Sequence, residues 1–250
     1  MGLREAFTIA ILVIAVPAAF GQPAEDRLPL GLVRLRDVAP DIRQDIRYAG
    51  SFNFTGRRVL GYQAGQCILW RPAAEALARA QKRLAAEGVG LKVYDCYRPA
   101  RAVRRFVEWS RASDQDEMKP IFYPGLDKSR LFALGYLSPH SKHSLGIAVD
   151  AGLVRATDTD NPPPRQSGAC DGPFETRPQE SSIDFGTAFD CLSLLSATTN
   201  PAISPQARRN RDQLRRALAS EGFRNYAREW WHFELRARGA PTEPFDFPVR

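Results

Sequence analysis

Histidine and cysteine are both scarce in this sequence, with three and four copies in 250 residues. No two cysteines have the C-x-x-C spacing that structural zinc sites of the finger and ribbon type use. A cysteine-based zinc site is the competing interpretation of the four cysteines, and their spacing disfavours it. A metal site in this chain would therefore draw on histidines and carboxylates.

The four cysteines, Cys67, Cys96, Cys170 and Cys191, are instead typical of export to an oxidising compartment, where disulfides persist. Four cysteines allow three pairings. We favour Cys67 with Cys96 and Cys170 with Cys191, because each of these pairs joins segments that are near in sequence. A Cys67–Cys170 link found by non-reducing peptide mapping would contradict this pairing.

Lysine is rare as well: thirty of the 35 basic residues are arginine, and they are scattered along the chain. The formal net charge of +7 is therefore not concentrated in one basic patch, and nucleic-acid binding is not indicated. A basic exported protein would be attracted weakly to anionic cell-wall polymers, and salt would screen that attraction.

Long apolar runs are absent after the first residues. Residues 1–21 have the features of a signal peptide: Arg4 near the start, an apolar stretch from Ala6 to Val16, and small residues in Ala19-Phe20-Gly21. The apolar stretch is short for a transmembrane helix, and an uncleaved anchor is the alternative. We expect an exported, periplasmic protein that has no stable membrane insertion after signal cleavage.

Hydrophobic periodicity predicts a single α+β domain with a central, mainly antiparallel sheet and flanking helices. The predicted helices cover Pro72–Glu87, a segment after Pro99, and a segment between Ser204 and Gly222, while the predicted strands cover Leu91–Cys96, Leu145–Val154 and His232–Arg236.

The stretch from Arg155 to Ser182 is rich in proline, glycine, aspartate and serine. This composition predicts a surface excursion and not a linker between domains. Asp158 and Asp160 in this stretch would suit calcium, but two carboxylates in a loop are weak evidence for a calcium site.

Two segments that are far apart in sequence hold the residues typical of a catalytic zinc site. Ser141-Lys-His143-Ser-Leu-Gly-Ile-Ala-Val-Asp150 supplies an imidazole and a carboxylate, and Glu229-Trp-Trp-His232 supplies a second imidazole. A catalytic zinc ion takes three protein ligands and keeps a fourth position for water. Glu229 would take a proton from that water, and the two tryptophans beside it would shield the site from solvent.

The pattern S-x-H-x-x-G-x-A-x-D followed by E-x-W-H resembles the zinc D-Ala-D-Ala peptidase family, which includes dipeptidases, peptidoglycan carboxypeptidases and the Hedgehog signalling domain. The flanks resemble the D-alanyl-D-alanine dipeptidases associated with vancomycin resistance. These flanks are Tyr48-Ala49, Asn53-Phe54-Thr55-Gly56, Tyr94-Asp95-Cys96-Tyr97-Arg98-Pro99 and Phe245-Asp-Phe-Pro-Val249. The similarity extends from about Ile46 to the C-terminus, which implies a dipeptidase domain over residues 46–250 preceded by an N-terminal extension over residues 22–45.

The resemblance implies zinc-dependent hydrolysis of D-Ala-D-Ala or a similar dipeptide, with one Zn²⁺ per chain. His143, Asp150 and His232 would be the metal ligands, carried by the central sheet. Glu229 would be the general base that activates the attacking water.

The resemblance also implies roles for residues that contact the substrate. Arg98 would stabilise the oxyanion of the tetrahedral intermediate. Asp190, at the end of a Gly-Thr-Ala-Phe-Asp motif, would meet the substrate ammonium and confine the enzyme to dipeptides. Ser141, two residues before a metal ligand, would also contact the substrate.

Two alternatives remain open from the sequence. A peptidoglycan D,D-carboxypeptidase or endopeptidase would use the same zinc chemistry, and export favours it, but Asp190 argues against it. A noncatalytic cell-wall or zinc-binding module would keep the metal site without activity, but Glu229 and Arg98 argue against it. For an exported dipeptidase, turnover or scavenging of wall peptides is the expected role, because glycopeptide resistance requires removal of cytoplasmic D-Ala-D-Ala.

Overall fold

The structure is a computed structural model that describes residues 27–158 and 168–250. The predicted signal peptide, residues 1–21, and Asp160 of the weak calcium pattern therefore lie outside the described residues. Among the described helices, none is both long enough and apolar enough to span a membrane.

Strands in the described residues form one five-stranded sheet and one two-stranded sheet. The strands are β1 (Leu32–Arg34), β2 (Arg43–Gln44), β3 (Ile68–Trp70), β4 (Val89–Asp95), β5 (Ala148–Arg155), β6 (Phe223–Asn225) and β7 (His232–Leu235). The larger sheet has the order β2-β4-β5-β7-β6, and β1 pairs with β3 in the smaller one. The central strand β5 is buried along nearly its whole length, which suits its apolar sequence.

The helices of the described residues are α1 (Leu35–Val38), α2 (Arg71–Ala86), α3 (Ala100–Arg111), α4 (Lys119–Phe122) and α5 (Pro205–Ala219). Helices α2 and α5 contact each other and the sheet, and each has a proline in its first turn. Ser204 caps α5, because its hydroxyl accepts a hydrogen bond from the Ala207 amide. The buried stripe of α2 includes Ala73, Leu77 and Leu84, the face that the sequence predicts.

The predicted α+β class with a mainly antiparallel sheet is confirmed. The pairs β4–β5, β5–β7 and β6–β7 are antiparallel, and only the short β2 pairs in parallel with β4. The six predicted helices and strands are present, with ends that differ by a few residues from the expected ones.

Part of the expected N-terminal extension, residues 22–45, packs as part of the domain. Strand β2 pairs with β4, and β1 pairs with β3. Leu35 and Ile42 are buried in the main hydrophobic core. The first packed element therefore precedes residue 46, because these apolar side chains need the core for burial.

Two disulfides are present, Cys67–Cys96 and Cys170–Cys191, which are the pairs that we favoured. The described residues at the end of the stretch that follows β5 are more buried than its composition predicts. Glu180 is buried and forms an ion pair with Arg47 at 3.1 Å. The described end of this stretch is thus bound to the domain by a covalent link and a buried charge pair.

Candidate active site

Strand register brings three charged residues to one level of the sheet. Asp150 on β5 pairs with His232 on β7, and on its other side pairs with Asp95 at the end of β4. The β4–β5 register shifts between Val93 and Asp95. Sheet pairing therefore brings together residues that lie far apart in sequence.

His143 reaches the same point from a short 3₁₀ helix, Lys142–Leu145, that precedes β5. Ser141 caps this helix, with its hydroxyl accepting a hydrogen bond from the His143 amide at 3.3 Å. Gly146 then turns the chain into β5 with a φ of +70°. A Cβ at this position would lie 3.2 Å from the Trp70 backbone nitrogen and 2.9 Å from a methyl carbon of Leu32, so the left-handed conformation and the close backbone both favour glycine.

The donor atoms of His143, Asp150 and His232 form a compact cluster. His143 Nε2 lies 3.1 Å from His232 Nδ1 and 3.3 Å from Asp150 Oδ1, and the latter two atoms are 3.1 Å apart. Tetrahedral zinc with bonds of roughly 2.0–2.1 Å separates its ligand atoms by about 3.3 Å. These three side chains therefore fit a zinc ion with one position left open.

The remaining ring nitrogens have partners that fix the orientation of both imidazoles. His143 Nδ1 donates to the Cys96 carbonyl at 2.6 Å, which leaves Nε2 with a free lone pair. His232 Nε2 lies 3.4 Å from Glu234 Oε1, which assigns Nδ1 to the cluster. Such outer contacts set the tautomer of metal-binding histidines.

Glu229 lies beside this cluster, with Oε2 4.0 Å from His232 Nδ1. The Asn225 side-chain amide donates to the Glu229 carbonyl and holds the turn between β6 and β7. Burial raises the pKa of Glu229 to about 8, and the negative charges of Asp150 and Asp190 add to this effect. A divalent cation at the cluster would favour the carboxylate form, because opposite charges stabilise each other.

Arg98 is fixed by Asp95 at the end of β4. Its Nε donates to Asp95 Oδ2 at 2.9 Å, and its Nη2 lies 3.6 Å from Asp150 Oδ2. The Tyr62 hydroxyl donates to the other Asp95 oxygen at 2.6 Å. Burial alone would lower the pKa of Arg98, but the Asp95 charge raises it well above its usual value. The guanidinium therefore stays cationic in a rigid setting.

Asp190 has a left-handed backbone, with a φ of +61° that is uncommon outside glycine. The Tyr48 hydroxyl donates to its Oδ2 at 3.0 Å. Burial raises the pKa of Asp190 to about 7, and the charge of Asp150 contributes. A cationic group placed against Asp190 would compensate for this burial and favour the carboxylate.

A cavity of about 280 Å³ connects these side chains. Its size is near the lower limit of ligand pockets, which suits a very small substrate. All seven residues that we predicted for metal, catalysis and substrate line it. Its lining includes Tyr48, Phe54, Arg98, Phe106, Tyr136, Leu137, Ser141, His143, Asp150, Asp190, Glu229, Trp231 and His232.

Some features of the site differ from the sequence expectations. Trp231 lines the cavity, but Trp230 turns into the core, where it stacks on Phe185 with ring centres 4.1 Å apart. The sequence analysis predicts no role for Tyr48 or Asp95, although both lie in the segments that carry the family resemblance. For Asp95, the sequence signal is an aspartate three residues before Arg98, the spacing of the ion pair that the structure shows.

Comparison with known proteins agrees with this geometry. The family model described as D-ala-D-ala dipeptidase, Peptidase_M15, matches residues 29–162 and 173–250. A D-alanyl-D-alanine dipeptidase from Enterococcus faecium is 32% identical over 223 residues, which are 89% of this chain and 100% of the relative. The D-alanyl-D-alanine dipeptidase from Streptomyces coelicolor is 32% identical over 85% of this chain and 95% of its own length.

A more distant D-alanyl-D-alanine dipeptidase, from Escherichia coli, is 28% identical over 82% of this chain and 84% of its own length. A solved structure of the vancomycin resistance D,D-dipeptidase VanXYg with a D-Ala-D-Ala phosphinate analogue covers 83% of this chain and 67% of that one. Its TM-score of 0.32 and identity of 16% are too low to inform the fold. The family match and the relatives nevertheless span most of the chain, which therefore belongs to the D-Ala-D-Ala dipeptidase family of peptidases.

Proposed function

We propose that this protein is a zinc-dependent dipeptidase that hydrolyses D-Ala-D-Ala and related short dipeptides to free amino acids. One observation carries the proposal: a zinc-compatible ligand cluster, a buried carboxylate and a fixed arginine line the same small cavity as a second buried carboxylate. Membership of the family, and relatives named D-alanyl-D-alanine dipeptidase, support the choice of substrate.

The metal-side chemistry follows from the donor atoms. His143 Nε2, Asp150 Oδ1 and His232 Nδ1 would hold one zinc ion, which when bound supplies Lewis acidity and lowers the pKa of water to about 7. Glu229 accepts a proton from the attacking water and returns it to the leaving nitrogen as the C–N bond breaks. The water oxygen ends in the new carboxylate, and both products are free amino acids.

Arg98 would stabilise the negative charge that develops on the carbonyl oxygen. Its guanidinium is held by Asp95 before any substrate arrives, so little reorganisation is needed in the transition state. The buried setting also strengthens the interaction, because water screens it poorly there.

Asp190 and Tyr48 would form the part of the site that recognises the substrate amino terminus. A buried carboxylate that accepts one hydrogen bond from Tyr48 still has the capacity to accept others from an ammonium group. A peptide with a blocked amine would leave Asp190 without its partner, which disfavours longer stem peptides. Ser141 also lines the cavity, just before the short helix that carries His143, and would contact the substrate from there.

Export to the periplasm and a role in turnover or scavenging of wall dipeptides also belong to this proposal. The two disulfides and the N-terminal sequence pattern support it. A fusion of the full chain to a reporter that is active only outside the cytoplasm should be active. An inactive fusion that accumulates intact in the cytoplasm would contradict export.

Release of D-alanine from D-Ala-D-Ala by the zinc-loaded protein tests the reaction. Glu229→Gln should slow release by on the order of 100-fold or more, since it removes the proton acceptor. Its zinc affinity in chelator competition should equal that of the wild type. Glu75→Gln, on the exposed side of α2, is the matched control and should behave as wild type. No release by the wild type would favour a noncatalytic module.

A further inference from the structure

The backbone around Asp190 is anchored on both sides by contacts that lie outside the cavity. On one side, the Phe189 amide donates to the buried Glu180 carboxylate at 2.9 Å. On the other side, Cys191 is joined to Cys170 by a disulfide. Asp190 therefore sits between a hydrogen-bonded neighbour and a covalently linked one.

The disulfide is itself fixed to the rest of the domain. Both cysteines are fully buried. The Cys170 amide donates to the Ile121 carbonyl at 2.8 Å, and the Ala188 amide donates to the Cys170 carbonyl at 2.8 Å. The link therefore ties the Asp190 segment to helix α4 as well as closing a loop.

Cys170 lies in the stretch 163–172, between the two segments that match the family model. The family pattern thus does not supply this end of the link. Asp190 has a left-handed backbone, a conformation that aspartate adopts more readily than most non-glycine residues but that is still less common than the extended or helical regions, so the contacts on both sides help to hold it.

We propose that the Cys170–Cys191 disulfide is a positioning element that sets the Asp190 carboxylate for the substrate ammonium. Recognition of a free amino terminus then depends on the oxidised state of this pair. The inference rests on the proposed role of Asp190. Opening the link lets the segment relax, and a displaced carboxylate pairs less well with the substrate ammonium, which weakens binding of the dipeptide and not the chemical step.

The second disulfide, Cys67–Cys96, provides a matched comparison because it lies next to a proposed metal ligand and not next to Asp190. The Cys96 carbonyl accepts the hydrogen bond from His143 Nδ1, so Cys67–Cys96 supports a metal ligand. Loss of this bridge should weaken zinc binding and leave KM for the dipeptide near its wild-type value.

A double-mutant cycle on the zinc-loaded enzyme tests the proposal. The variants are Cys170→Ser/Cys191→Ser, Asp190→Asn and their combination, with Cys67→Ser/Cys96→Ser as the control. The cysteine pair variant should raise KM for D-Ala-D-Ala by about tenfold or more, with kcat and zinc affinity close to wild type. In the Asp190→Asn background the same change should have almost no further effect, because coupled residues are not additive.

Four outcomes would overturn or redirect the inference. An unchanged KM in Cys170→Ser/Cys191→Ser, or an effect that simply adds to that of Asp190→Asn, would refute positioning. An equal rise in KM from Cys67→Ser/Cys96→Ser would show general loosening and also refute it. An Asp190→Asn variant with wild-type kinetics would instead refute the proposed role of Asp190.

If the serine pair does not fold, Cys170→Ala/Cys191→Ala provides the same readout, because alanine opens the bridge without placing a hydroxyl in a fully buried site. This variant should show the raised KM. A wild-type KM in this variant would contradict the proposal.

Discussion

The two halves of the site are built in different ways. The proposed metal half consists of His143, Asp150 and His232; Asp150 and His232 stand opposite each other on paired strands, and backbone hydrogen bonds determine their separation. The proposed substrate half consists of Asp190 and Tyr48, and Asp190 lies on an irregular segment that is held by side-chain contacts and a disulfide. Chemistry and substrate selection would therefore depend on separate supports, so mutations should affect them separately.

Loss of a metal ligand should have the largest effect. Asp150→Ala removes one of the three donor atoms and leaves two imidazoles without their buried partner. We expect zinc affinity to collapse in chelator competition and D-alanine release to fall below detection. Asp158→Ala, just after the same strand and exposed, should retain both. Wild-type zinc binding by Asp150→Ala would contradict the ligand assignment.

Arg98→Lys tests whether Arg98 acts in the chemical step or in substrate binding. A lysine keeps the charge but loses the planar group that Asp95 holds, so the transition state should lose stabilisation. We expect kcat to fall by about 100- to 1,000-fold with a smaller change in KM. Steady-state kinetics beside Arg104→Lys, an exposed change in α3, provide the check. A change in KM alone would assign Arg98 to substrate binding.

Asp190→Asn affects only the substrate half. Removal of the charge that meets the ammonium should lower kcat/KM for D-Ala-D-Ala by about 100-fold, as for other buried charge pairs. Zinc affinity should stay unchanged, because Asp190 supplies none of the clustered donor atoms. Equal kcat/KM in variant and wild type would remove Asp190 from substrate recognition.

Two tyrosines provide the finest comparison. Tyr48→Phe removes the hydrogen bond to Asp190 and should raise KM by about tenfold. A change of this size corresponds to the free energy that a hydrogen bond to a charged group typically contributes. Tyr62→Phe removes the equivalent bond to Asp95 and should lower kcat through Arg98. The same kinetic change in both variants would show that the halves are not separable.

The clustering of the three proposed metal ligands could be predicted from the sequence because its signals are local. His143 and Asp150 lie on either side of the Gly146 turn, with Asp150 near the start of β5, and His232 begins β7. Family resemblance then linked the two segments. The α+β class followed similarly from helix and strand periodicity.

The supports of the substrate half could not be predicted, because they depend on contacts between distant segments. Tyr48 is 142 residues from Asp190, and Arg47 is 133 residues from Glu180. The loop composition indicated a surface, yet Glu180 is buried by its pairing with Arg47. Hydrophobic periodicity also does not predict which of the two adjacent tryptophans faces the cavity. Trp231 lines the cavity, and Trp230 faces the core.

The most direct test of the proposed function compares free D-Ala-D-Ala with N-acetyl-D-Ala-D-Ala as substrates of the zinc-loaded wild type. We expect D-alanine release from the free dipeptide alone, because the proposed metal half would perform the hydrolysis and Asp190 would select the free amine. Similar kcat/KM for both substrates would contradict this division and identify a carboxypeptidase. Release from neither substrate would contradict the catalytic role of the metal half.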